Sequence, residues 1–164
     1  MNLRRIITTT VAGGVAGSII FWLYQISFQG NSITAFIGAQ IVRQGGYALP
    51  PGLVGWGVHL GVSLSYALLL ALLMAVPFSP SAVRRRGTGL AAALILGWAT
   101  NKIAPPAIQV TIGVLSGKGF ISPTWPLNPS WNHPFYNHVL FFVAVWLIDW
   151  GISGLLARQG AARA

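Results

Sequence analysis

Four apolar runs, each close to the length of a bilayer crossing, govern what this chain can become. A helix needs ~20 predominantly apolar residues to traverse the hydrocarbon of a membrane. The runs lie at about Leu3–Phe28, Gly52–Val76, Gly87–Ala104 and Phe135–Ala157. Their polar connections are too short to build a separate soluble domain. Residues 1–164 therefore read as one membrane domain. The expected class is all-α: a polytopic bundle of four transmembrane helices with short interfacial helices in its outer loops.

Charge supports that class. Only 7% of the residues are charged and 54% are hydrophobic, whereas a soluble domain carries about 25% charged residues. The net charge of +9 would suggest nucleic acid in a soluble protein. Here the basic residues sit at the ends of apolar runs, where they set orientation and attract anionic headgroups. No basic stripe interleaved with aromatics lies on a polar face, so nucleic acid is not an expected partner, and membrane lipids are.

Orientation follows from counting. With four crossings both termini share a side, together with Arg4, Arg5, Arg84, Arg85, Arg86, Arg158 and Arg163. Arg43, Lys102 and Lys118 lie toward the other. Basic residues favour the cytoplasmic side, so both termini are expected in the cytoplasm of a bacterial inner membrane. The first run could pass for a signal peptide, but it is long and no small-x-small cleavage site follows Phe28. It reads as a retained helix.

Small residues mark the packing faces. Gly13 and Gly17 form one pair, Gly57 and Gly61 a second, and Gly89 and Gly97, with Ala93 between them, a third. Such faces let neighbouring backbones approach closely. Between the first two runs, Ile33, Phe36, Ile37, Ile41 and Val42 have the spacing of a short amphipathic helix on the membrane surface or of an irregular loop packed over the bundle. Pro105-Pro106 is expected to break or sharply kink the third helix, leaving Ala107–Leu115 as a separate half-helix. Residues 117–134 hold Pro123, Pro126, Pro129 and Pro134 with Trp125 and Trp131, which predicts an ordered cap.

Three intramembrane residues are candidates for function, because ionisable groups are costly in lipid. His59 opens the second helix and His138 the fourth, both entered from the outer side, so their imidazoles belong at similar depth. If those helices adjoin, the pair could hold a haem iron from both faces, and one alone could ligate haem or chlorophyll. Gly55, four residues before His59, would leave room for a flat macrocycle, whereas Pro134 holds the equivalent place before His138. The plainer reading bonds both rings to backbone carbonyls, Ser63, Tyr66 or Asn137, holding helices in register; a metal ion or proton relay is a third. Two histidines without nearby carboxylates do not complete a closed metal site. Asp149, the only acidic residue, is expected to pair with Arg84–Arg86, to meet another subunit, or to transfer protons. His133 belongs to the Pro-rich loop.

Catalysis has little support. There is no Gly-x-Ser-x-Gly elbow, no carboxylate near the histidines and no phosphate-cradling loop. The chain has no cysteine, which excludes disulfides and thiolate chemistry.

In order of features, the chain resembles the uncharacterised YagU-like family of bacterial inner-membrane proteins. A Gly-rich first helix precedes GVHLGVSLSYALLLALL, then GLAAALILGWATNKIAPP with its Pro-Pro pair, then an aromatic loop leading into Asn137-His138 and VLFFVAVWLI. The resemblance covers most of residues 5–155 and implies a helical membrane bundle with His59 and His138 in matching places. The resulting expectation is a non-enzymatic subunit, associating with itself or with a larger bioenergetic complex. A small pigment- or haem-binding electron-transfer subunit and a transporter or proton-conducting protein are the alternatives.

Overall fold

The computed structural model describes residues 3–76 and 81–161. Among these residues it is helical, with no strand. Five helices follow in order: α1 (Leu3–Phe28), α2 (Ile33–Gly45), α3 (Pro51–Ala75), α4 (Ala82–Leu115) and α5 (His133–Ala161). Three helical segments are long and apolar enough to cross a membrane, Leu3–Phe28, Pro51–Ala75 and His133–Leu156. In α4 the arginines of the first turn and Asn101-Lys102 interrupt the apolar run.

The long helices run antiparallel to their neighbours. Gly13 and Gly17 of α1 face Val145 and Phe141 of α5 in reversed order. Gly89 and Gly97 of α4 likewise face Trp146 and Val139. On the other flank of α1, Gly14 meets Leu64 of α3. The small residues create these approaches: a Cβ built at Gly97 would lie 2.8 Å from the Cα of Val139, and one at Gly17 2.7 Å from the Phe141 ring. Ala67, Leu70, Ala93, Phe141, Phe142 and Val145 form the buried core. The N-terminus of α1, the end of α3, the start of α4 and the end of α5 consequently share one end of the bundle. It carries Arg5, Arg84, Arg86 and Arg158 and is called the basic end below.

α2 is a helix, as its spacing predicts. Ser32 caps its first turn, accepting from the Ala35 N–H at 3.3 Å, and Gln25 of α1 accepts from the Ile33 N–H at 2.9 Å. Gly46, at φ +66°, closes the other end. Rather than lying apart as a surface float, α2 is sunk against α3. Thr34 and Gly38 press on Gly55 so closely that a methyl at Gly55 would collide with the Thr34 carbonyl. Ile37 and Ile41 join Ile112 of α4 in a second small core at this end.

The Pro-Pro pair does not end α4. The helix begins at Ala82 and continues through Pro105 and Pro106 to Leu115, so the expected stop at Ala104 and the separate half-helix are both corrected. Proline fits helical φ but lacks the N–H that should bond four residues back. For Pro106 the orphaned acceptor is the Lys102 carbonyl, and the Asn128 N–H of the following loop takes it at 3.0 Å. The loop also replaces the side-chain solvent of this turn. Asn101 donates to the Ser130 carbonyl at 3.3 Å and accepts from Asn128 at 2.9 Å, and Lys102 reaches the Pro129 carbonyl at 2.8 Å. Gln109 donates to the Pro123 carbonyl at 3.2 Å. The proline-rich loop is thus an ordered cap, as expected, and α4 is what orders it.

Candidate functional site

Two buried polar centres lie along α1. The first surrounds the histidines. His59 on α3 is buried, and its Nε2 lies 3.2 Å from the Ser18 carbonyl of α1. A carbonyl only accepts, so Nε2 carries the proton. His138 on α5 places Nδ1 at 2.7 Å from the Pro134 carbonyl, one turn earlier in its own helix, and Nδ1 is the protonated nitrogen there. One ring, Phe21 of α1, contacts both imidazoles, at 5.3 Å from His59 and 5.2 Å from His138. The two histidines therefore lie at a similar level along the bundle, with an α1 side chain packed against both. Trp56 adds an edge contact to His59 at 5.7 Å. Tyr66 packs edge-on against Phe141 and tilted against Phe142 instead of bonding a histidine.

This arrangement does not fit a macrocycle held from both faces. Phe21 fills the space against the two rings, and His59 Nε2 is spent as a donor. The recess at Gly55 is filled by the Thr34 carbonyl, so it leaves no room for a flat ring. Among the described residues, no three His, Cys, Asp or Glu gather as metal ligands. Two polar groups here have no hydrogen-bond partner among the described residues: the Ser18 hydroxyl and both amide atoms of the fully buried Asn137.

The second centre holds Asp149. Its carboxylate accepts from Arg5 Nε at Oδ1, 2.9 Å, and from Arg5 Nη2 at Oδ2, 2.5 Å. Thr9 Oγ1 donates to Oδ1 at 2.8 Å. Two parallel N–H···O bonds from one guanidinium form the strongest planar recognition of a carboxylate. The expected partners Arg84–Arg86 are corrected to Arg5. Its place could have been read from spacing: Arg5, Thr9, Gly13 and Gly17 recur at every fourth residue and form one ridge, and Asp149, Val145 and Phe141 form the ridge that meets it. His133 opens α5 and shares a 2.9 Å hydrogen bond with Tyr24. The Asn101–Asn128–Ser130 cluster had no motif to announce it, because half of it is backbone.

The glycines divide into two groups. Gly13, Gly17, Gly89 and Gly97 are consumed by contacts inside the chain. Gly57 and Gly61 face outward, and a Cβ at either would meet nothing within 4 Å. No family model, curated protein or solved structure matches the chain.

Proposed function

We propose that this protein is a non-enzymatic, four-pass subunit of the bacterial inner membrane, with both termini cytoplasmic, which associates with itself or with a larger bioenergetic complex. The observation that carries the reading is the outward face of α3. Gly57 and Gly61, one turn apart, stand open on a long apolar helix, whereas the other paired glycines are matched to a neighbour within the chain. Ser65, one turn further on, turns its hydroxyl back to the Gly61 carbonyl at 2.9 Å and leaves the face smooth. In lipid, close backbone approach at such faces drives helix association. The antiparallel order of α1, α3, α4 and α5 supports four crossings, with α4 as the most polar. The gathering of arginines at one end supports the cytoplasmic assignment. The resemblance to the YagU-like family supports a helical bundle.

The buried charge favours a structural role over proton conduction. Asp149 is held by three donors from Arg5 and Thr9, which fix its carboxylate in place between α1 and α5. The test is the size of the native particle in mild detergent. Gly57→Leu with Gly61→Leu should leave the fold intact, since both positions are exposed and a Cβ at either meets nothing within 4 Å, and should shift the particle to the mass of a single protomer. An unchanged particle size would remove α3 as the association face.

A further inference from the structure

The basic end holds a groove that the subunit reading does not use. It lies open on the outer surface of α5, has a volume of about 470 Å³, and is lined by Leu147, Trp150, Gly151, Gly154, Leu155 and Arg158. Its walls are apolar along most of their length, and an exposed arginine stands at the end nearest the helix terminus. A second arginine stands beside the groove: the guanidinium of Arg86, from the first turns of α4, lies over the ring of its lining residue Trp150 at 4.6 Å. Stacking engages the flat face of a guanidinium and leaves its edge, which carries the N–H donors, to bind oxyanions. No acidic side chain can answer these two cations from within the chain, because its only acid is bound to Arg5.

We propose that this groove is a binding site for an anionic phospholipid. Arg158 at the outer end and Arg86 on the flank by Trp150 attract the phosphate, the glycerol backbone lies by Gly154, and one acyl chain runs inward along Gly151 and Leu147. The glycines give the chain its channel, since a Cβ at either meets nothing within 4 Å. Charge decides the occupant. A second copy would bring its own arginines against this pair, whereas a lipid phosphate complements them. Tryptophan and arginine at the end of an apolar helix are also the residues suited to the headgroup boundary. The site requires that this end of α4 and α5 lie at a membrane surface; it does not depend on any partner at Gly57 and Gly61.

The experiment is native mass spectrometry of the full chain released from bilayers of equal phosphatidylglycerol and phosphatidylcholine. Wild type should retain one phosphatidylglycerol over phosphatidylcholine by roughly tenfold or more, the scale expected of two arginines at a surface. Arg86→Gln with Arg158→Gln should bring the ratio near unity, and Arg43→Gln, at the opposite end, should leave it unchanged. Gly154→Leu, which fills the groove and keeps both charges, should lower retention of the bound lipid. All these positions are exposed, and helical content by circular dichroism checks each variant. A wild-type ratio of one, a preference surviving the double arginine variant, or indifference to Gly154→Leu would overturn the site. So would displacement of the lipid by millimolar inorganic phosphate, which would mark a plain anion site, or a dimer abolished by Gly154→Leu, which would mark a second copy as the occupant.

Discussion

Arg5 and Asp149, separated by 144 positions in the chain, close on each other through two hydrogen bonds and tie the first helix to the last. Removing Arg5 strips the buried Asp149 carboxylate of its bidentate partner, and removing Asp149 takes from Arg5 both of these hydrogen bonds. Breaking a buried pair costs roughly 3–5 kcal/mol, and the part-exposed Arg5 brings the expectation down to about 2–3 kcal/mol. Asp149→Asn and Arg5→Gln should each lower stability by that amount in a reversible unfolding assay in detergent. Arg5→Met with Asp149→Leu should recover most of the loss, because a matched apolar pair leaves no stranded charge. Losses that simply add in the double variant would show that the two residues are not coupled.

The glycines predict a contrast. At Gly97 a Cβ would press on the backbone of Val139, which cannot rotate away. Gly97→Ala should therefore force α4 and α5 apart and cost about 1–3 kcal/mol, the usual range for overpacking. Gly57→Ala, with open space around it, should leave the stability of the isolated protomer within about 1 kcal/mol. Thermal midpoints of the two variants, measured in the same detergent, decide the matter; equal midpoints would mean that the α4–α5 approach is looser than described.

Asn128 joins the cap to α4 through both its backbone and its side chain. Asn101→Ala removes the acceptor for that side chain and the donor to Ser130. We expect a loss of about 1–2 kcal/mol and faster cleavage of residues 118–132 by an added protease, while the helical core stays protected. Cleavage at the wild-type rate would show the cap to be held by its apolar contacts instead.

Asn137 is fully buried and neither amide atom finds a partner among the described residues. Asn137→Leu, which keeps the branching and heavy-atom count of the side chain, should be neutral or stabilising, since it removes an unmet desolvation penalty of about 1–3 kcal/mol. A thermal midpoint that falls by several degrees would instead point to a bound water or other polar molecule at that amide.

Much of this architecture could be read in the chain, because lipid leaves few solutions for long apolar runs. α1 and α3 were bounded to within a residue, and the register of Gly13, Gly17, Gly89 and Gly97 matched real helix contacts. The common level of His59 and His138 along the bundle is legible from the antiparallel helix order. Which cation meets Asp149 was harder, since all the arginines at the basic end looked equivalent until the spacing of Arg5, Thr9 and Gly13 was set against α5. Pro105-Pro106 misled for a different reason. A proline pair signals a helix end only when nothing else satisfies the freed carbonyls, and the group that satisfies one of them comes from Asn128, far along the chain. The opposite assumption failed at Gly55, where small size signalled space that another backbone had already occupied.

The Lys102 carbonyl is a reserved berth. It stays vacant within its own helix only because residue 106 has no hydrogen to offer, and Asn128 moors there. Pro106→Ala would supply that hydrogen and set the helix in competition with its own cap. A substitution that makes α4 more regular would then slacken the loop that leads into α5.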